Sequence, residues 1–181
     1  WSARPEGREA KPETARQVEE PASEAKSPSE GEKEKSIMQQ LAFEIITPVF
    51  GNSFKLETFD EYNVNHYKSW HYHPEIELVY INGGSGKRQI GTHMSYFNDG
   101  DLILIGKNLP HCGFTDRSTG NRKETLVQFR EDFLGQGFFD IPEMEKLKAL
   151  FSMAEQGLAF HGDTKLRVGS AMEGLDELDG F

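Results

Sequence analysis

The sequence has a single cysteine, Cys112. That excludes an internal disulfide framework and any zinc finger built on paired cysteines. Cations are scarce: 20 Lys plus Arg stand against 30 Asp plus Glu, for a formal net charge of −10. Phosphate backbones bind clustered positive charge, so this chain does not wrap DNA by itself, and anionic membranes are equally poor partners. Long apolar runs are missing too. Stretches such as Leu102 to Ile105 fall far short of the ~20 residues that a membrane-crossing helix needs, and no signal-peptide core stands near the start. These absences lead to the expectation of a cytoplasmic globular protein with no membrane partner. A length of 181 residues suits one domain of ordinary size with a tail.

Residues 1–37 hold four of the eight prolines and none of the thirteen phenylalanines. A segment this polar buries too little apolar surface to offset its ordering entropy, so it reads as a disordered, low-complexity tail. The composition changes at Met38, a candidate natural start. Composition alone leaves open whether 1–37 is a native tail or upstream sequence.

From Met38 onward the chain first reads as mainly β. Short runs of β-branched and aromatic residues alternate with turn signals. The candidate strands are Ala42 to Ile46, Phe54 to Phe59, Glu75 to Asn82, Lys87 to Ile90, Asp101 to Ile105 and Thr125 to Arg130. Gly83 to Gly86 and Asn98-Asp99-Gly100 are the turns between them. This spacing points to a small barrel or sandwich. The period then lengthens. Ile141, Met144, Leu147, Leu150, Phe151 and Ala154 fall at helical spacing behind Pro142, with Gln156-Gly157 as a stop. A second helix is expected from Asp163, carrying Val168, Met172, Leu175 and Leu178 on one stripe. The two stripes need a surface to cover, and the barrel, each other or a second subunit would serve.

The chemistry concentrates in Trp70-His71-Tyr72-His73-Pro74-Glu75-Ile76-Glu77. On a strand, His71, His73 and Glu77 share one parity, subject to a kink at Pro74. His111 follows the turn glycine Gly100 by eleven residues. Two strands of a narrow barrel would aim three imidazoles and a carboxylate at one point. Such a set suits zinc, iron, manganese or nickel, and a hydrogen-bonded ligand or water network is the alternative. His66, His93 and His161 lack this spacing and read as surface or turn residues. Glu75 shares parity with Glu77 and reads as pointing to the rim or as pairing with a Lys or Arg, and Cys112 as a small buried residue facing away from His111.

His71, His73, Glu77 and Gly84, followed by Gly100 and His111, resemble the two cupin motifs, which implies a double-stranded β-helix, or jelly-roll barrel. Gly106 stands where cupin enzymes usually have proline, and Asn108 where they usually have glycine. More specifically, the stretch from about Phe43 to Leu178 resembles the N-terminal ligand-binding and dimerisation domain of AraC-type bacterial transcription regulators. Residues 69–81, 84–91, 100–111 and 129–135 carry the likeness. It implies a sensor barrel over 38–139 and a helical dimerisation segment over 140–181. It further implies a small-molecule effector, often a sugar, a homodimer formed through the helices, and DNA contact only through a C-terminal helix-turn-helix domain that this sequence does not reach. His71, His73, Glu77 and His111 would hold the effector directly or through a metal. Trp70, Tyr72, Tyr80 and Phe114 would form apolar walls, with the segment around Phe43 to Phe50 folding over the mouth. Two other readings remain at this point. One is a metal-dependent cupin enzyme, a dioxygenase or isomerase using the same three histidines and glutamate. The other is a module that serves only oligomerisation.

Overall fold

In the computed structural model the described residues are 41–49, 51–60, 62–63, 69–113 and 123–178. The expected tail over 1–37, His66 and Phe114 lie outside them.

The sequence runs of alternating apolar and polar residues pair into two sheets. The first has the order β1 (Ala42–Phe43), β3 (His71–Tyr72), β8 (His111–Cys112), β5 (Ser85–Ile90) and β6 (His93–Asn98). The second has the order β10 (Leu158–Ala159), β7 (Asp101–Ile105), β4 (Ile76–Asn82), β9 (Lys123–Phe129) and β2 (Phe54–Phe59). All pairings are antiparallel except β1 with β3. The sheets face each other across Val79, Ile81, Ile90, Phe97, Ile103, Ile105 and Leu126. This is the jelly-roll barrel expected from the motifs.

The second sheet is covered on its outer face as well. Helix α1 (Glu145–Ala154) packs Leu150, Phe151 and Ala154 onto Ile76 and Leu104. Helix α2 (Gly162–Glu173) packs Val168 and Met172 onto Tyr80 and Leu102. Burial on both faces explains why β7 reads as an unbroken apolar run rather than an alternating one. The helical stripes therefore find the chain's own barrel, while Ile141, Leu147, Met153, Leu166 and Leu178 stay exposed.

Several boundaries differ from the sequence pattern. The strand expected from Ala42 to Ile46 is only two residues long. The edge strand β6 escaped the reading because its outward Met94 and Tyr96 blur the alternation. Pro142 opens a short 3-10 turn before α1 begins at Glu145. Helix α2 starts at Gly162, so Asp163 sits in its first turn, where a carboxylate favours the helix dipole.

Seating α2 requires a missing side chain. A Cβ at Gly169 would fall well inside van der Waals contact of the Tyr80 ring. Gly169→Ala gains up to ~1 kcal/mol of helix propensity, but overpacking costs ~1–3 kcal/mol. The variant is expected to unfold at lower urea concentration than the parent, and Tyr80→Leu in the same chain to restore part of the loss. A more stable Gly169→Ala would mean that α2 does not rest on Tyr80.

Candidate functional site at the histidine end of the barrel

Pro74 decides how the histidines meet. Strand β3 lies in one sheet and β4 in the other, so His71 and Glu77 are not on one continuous strand, as parity alone implied. The chain turns a corner between them. His71 faces His111 directly across the β3–β8 ladder, with ring centroids 4.2 Å apart. The His73 ring lies 5.1 Å from that of His111. Glu77 enters from β4, and Gln128 of β9 stands opposite it in register. All five side chains are buried.

Backbone carbonyls set the orientation of each ring. Nδ1 of His71 donates to the Ser69 carbonyl at 2.8 Å, that of His111 to the Leu109 carbonyl at 2.8 Å, and that of His73 to the Glu75 carbonyl at 3.2 Å. A carbonyl only accepts, so the proton of each neutral ring sits on Nδ1. Each Nε2 then points to the centre. Nε2 of His73 lies 3.1 Å from Glu77 Oε2, and Nε2 of His111 lies 3.7 Å from Glu77 Oε1, too far for a hydrogen bond. Nε2 of His111 is buried without a hydrogen-bond partner. Gln128 Nε2 donates to Glu77 Oε2 at 2.7 Å.

The sequence reading missed Glu44. It follows β1, whose pairing with β3 brings the Glu44 carboxylate to 3.1 Å from His71 Nε2. It also missed Gln128. The signal available for both was weak: a single acidic residue before the barrel, and an inward-parity amide on a strand.

The charges are strongly coupled. Burial alone would raise the Glu77 carboxyl, but His111 and His73 outweigh it and hold the group well below the usual carboxylate range. Burial would lower His111, yet the adjacent Glu77 raises it above the ordinary imidazole value. His71 is pushed down to about 4 by burial, with His111 adding to the effect. Burial raises the Glu44 carboxyl.

The residues fit a divalent cation. His71, His73 and His111 each offer a ligand atom within 4.8 Å of the others, the Nδ1 atoms are already engaged in the way that orients metal-bound imidazoles, and the buried His111 Nε2 has no hydrogen-bond partner. Imidazoles with carboxylates suit a first-row metal ion.

Other expected site residues lie elsewhere. Tyr80 is on the outer face of β4 under α2, because its parity is opposite to that of Glu77, so it lines no part of this cluster. Trp70 is half-buried just before β3, and Cys112 is half-buried on β8. His93 and His161 are exposed. Glu75 is buried, with Oε2 3.7 Å from His73 Nδ1 and Oε1 3.6 Å from Arg130 Nη1. Beyond Arg130 lies a cavity of about 480 Å³ bounded by Pro74, Asp132, Phe139 and Phe151, outside the barrel. Past the cluster the two sheets enclose the apolar core, and beyond it Arg88 and Asp101 form a second buried polar pair.

The two motif departures have structural causes. The Gly106 N–H donates to the Ala154 carbonyl at 2.8 Å, and a Cβ there would stand 2.7 Å from the Ala154 carbonyl carbon. Proline would lose the bond and clash, so glycine is what lets α1 end on the barrel. Asn108 adopts φ 56°, a left-handed conformation that asparagine tolerates, and its N–H donates to the His73 carbonyl at 2.7 Å.

In ion-free protein, His71 takes its proton near pH 6.5 when unfolded and near 4 when folded. Between these values the unfolded state binds more protons, so stability falls as pH drops. Glu77 acts differently: its contribution is present above the ordinary 4.5 and is lost only as pH falls through its depressed value. His71→Gln is expected to flatten the loss between pH 6.5 and 4 in urea titrations with chelator present. An unchanged slope would show that His71 is not held neutral by the fold.

The family model described as the AraC-like ligand binding domain matches residues 53–177. Among curated proteins none matches. Among solved structures, ToxT from Vibrio cholerae O395 bound to (E)-4-(8-methylnaphthalen-1-yl)but-3-enoic acid is 15% identical at a TM-score of 0.47, over 72% of this chain and 51% of that one. A cupin 2 conserved barrel domain protein from Rhodopseudomonas palustris is 21% identical at 0.34, over 46% and 57%. HEPD from Streptomyces albus, with 2-hydroxyethylphosphonate and Fe(II) bound, is 19% identical at 0.35, over 58% and 25%. The chain thus spans about half the length of the ToxT structure it matches. No helix among the described residues is long and apolar enough to cross a membrane. With well over half of its length matched by that family model, the chain belongs to the AraC-like ligand binding domain family.

Proposed function

We propose that the chain is the effector-sensing part of an AraC-type transcription regulator, and that the effector is held at the histidine end of the barrel. The observation that carries this reading is the buried cluster of three imidazoles around the Glu77 carboxylate, with His111 Nε2 lacking a hydrogen-bond partner. A buried polar atom left unmet costs stability. A hydroxyl-rich ligand such as a sugar, whose groups both donate and accept, would meet it, as would a divalent ion that the ligand then joins. Such an ion would supply a point of positive charge for a ligand oxygen. The chain's own residues do the rest. His71, His73 and His111 fix the direction of approach, Gln128 holds Glu77 in place, and the packed core below excludes water.

The readout of occupancy is a shift in population between arrangements, and only differential affinity drives it. The exposed Leu147, Met153 and Leu166 on α1 and α2 suit a homodimer, with DNA contact made by a helix-turn-helix segment elsewhere in the parent protein and a cytoplasmic location.

Purified protein is to be heated with and without each member of a sugar panel. At a hundredfold excess over Kd the binding term is ~2.7 kcal/mol, which for a domain of this size raises Tm by roughly 5–10 °C. His111→Ala and Glu77→Gln are expected to abolish the shift. A sugar that stabilises both variants as well as the parent would place the effector elsewhere. By sedimentation, Leu166→Glu is expected to convert dimer to monomer, and a parent already monomeric at high concentration would remove the helices from the interface.

A further inference from the structure

The chain that leaves β9 builds a second place able to hold a small molecule. Arg130 follows the strand directly, and the backbone then folds through successive turns. The N–H groups of Phe133, Gly135, Phe138 and Asp140 donate to the carbonyls of Arg130, Asp132, Gly135 and Gly137 at 3.1, 2.8, 3.2 and 3.0 Å. This segment and α1 border the outer cavity of about 480 Å³, a volume that suits a small ligand. Its apolar wall is anchored from beneath. The Phe139 ring lies 5.2 Å from that of Phe151 on α1 and 6.1 Å from that of Phe133, and Phe151 lies 5.8 Å from Phe129 of β9.

The charges around the cavity are not equivalent. Lys107 donates to Glu131 at 2.8 Å and Lys148 to Asp140 at 2.6 Å, so a ligand group would have to break a formed bond to reach any of these four. Arg130 and Asp132 carry no such cost. Their side chains come only to 3.8 Å of each other, and both are more than half exposed. Behind them stands Glu75, a residue 8% exposed, with Oε1 3.6 Å from Arg130 Nη1 and Oε2 lacking any hydrogen-bond partner. The guanidinium is thus flanked by two carboxylates and hydrogen-bonded to neither. Its planar fork of N–H groups matches a third carboxylate arriving from the cavity.

We propose that this cavity binds a free amino acid with an apolar side chain: the α-carboxylate on Arg130, the α-ammonium on Asp132, and the side chain against Phe139 and Phe151. One uncommitted cation and one uncommitted acid, side by side at the edge of an aromatic wall, mirror the charges of such a zwitterion. A phosphate or dicarboxylate would meet repulsion from Asp132 and Glu75, and a plain apolar acid would leave Asp132 unanswered. No group of the histidine cluster takes part, so this site stands or falls apart from the effector reading.

L-Phenylalanine and L-leucine are the probes, titrated into the whole chain and followed by calorimetry. 3-Phenylpropionate lacks the ammonium and phenethylamine lacks the carboxylate, and each is expected to bind about tenfold or more weakly than phenylalanine, the worth of one charge-assisted hydrogen bond. Arg130→Gln is expected to weaken phenylalanine by a similar factor. Asp132→Asn is expected to weaken phenylalanine too but to leave 3-phenylpropionate unchanged, a difference that a merely structural effect would not produce. Both side chains are exposed, so the circular dichroism and urea midpoints of the two variants are expected to match the parent. Failure of both amino acids to bind at millimolar concentration overturns the proposal. So does equal affinity for phenylalanine and 3-phenylpropionate, or a phenylalanine affinity unchanged in either variant.

Discussion

The whole of this site depends on one electrostatic constraint. Three backbone carbonyls, from Ser69, Glu75 and Leu109, each accept from an imidazole Nδ1. The rings have no choice but to turn their other nitrogens inward, where Glu77 already sits. Donors there are few, and the Gln128 amide is one of them. Inside a low-dielectric barrel these groups are strongly coupled: His111 and His73 hold Glu77 low, and Glu77 holds His111 high.

The fold serves this constraint by arranging corners rather than strands. The five acidic and imidazole groups come from β3, the corner just after it, β4, β8 and the chain just after β1, so no element carries the site alone. The opposite face of the second sheet is spent on the helices. Gly106 and Gly169 are the points of closest approach, one under the end of α1 and one over Tyr80. The same β7 backbone therefore runs between the apolar core and α1, and the site and the helices share a rigid wall. Glu75 forms another link, lying between His73 and Arg130 at the edge of the outer cavity.

Much of the barrel was legible. Phe54–Phe59 and Asp101–Ile105 are strands at their expected bounds, because β-branched and aromatic runs stood between clear turn residues. The two helices were legible from their period, although their ends were not. Strand β6 was hidden by exposed Met94 and Tyr96, and β10 is too short for any pattern. Of the candidate site residues, His71, His73, Glu77 and His111 do lie together, but for a reason other than strand parity. Tyr80 went the other way, since one residue of register sends a side chain to the opposite face.

The sequence by itself determined which side chains had chemistry to offer: a dense group of imidazoles and carboxylates, spaced by turn glycines. Only the tertiary structure decided which of them meet. Glu44 and Gln128 join the cluster through strand pairings that span tens of residues, as in the facing of Glu77 and Gln128. Local propensity has no term for such pairings. They are settled by how two sheets close on a shared apolar core, and every polar group at its end is placed as a consequence.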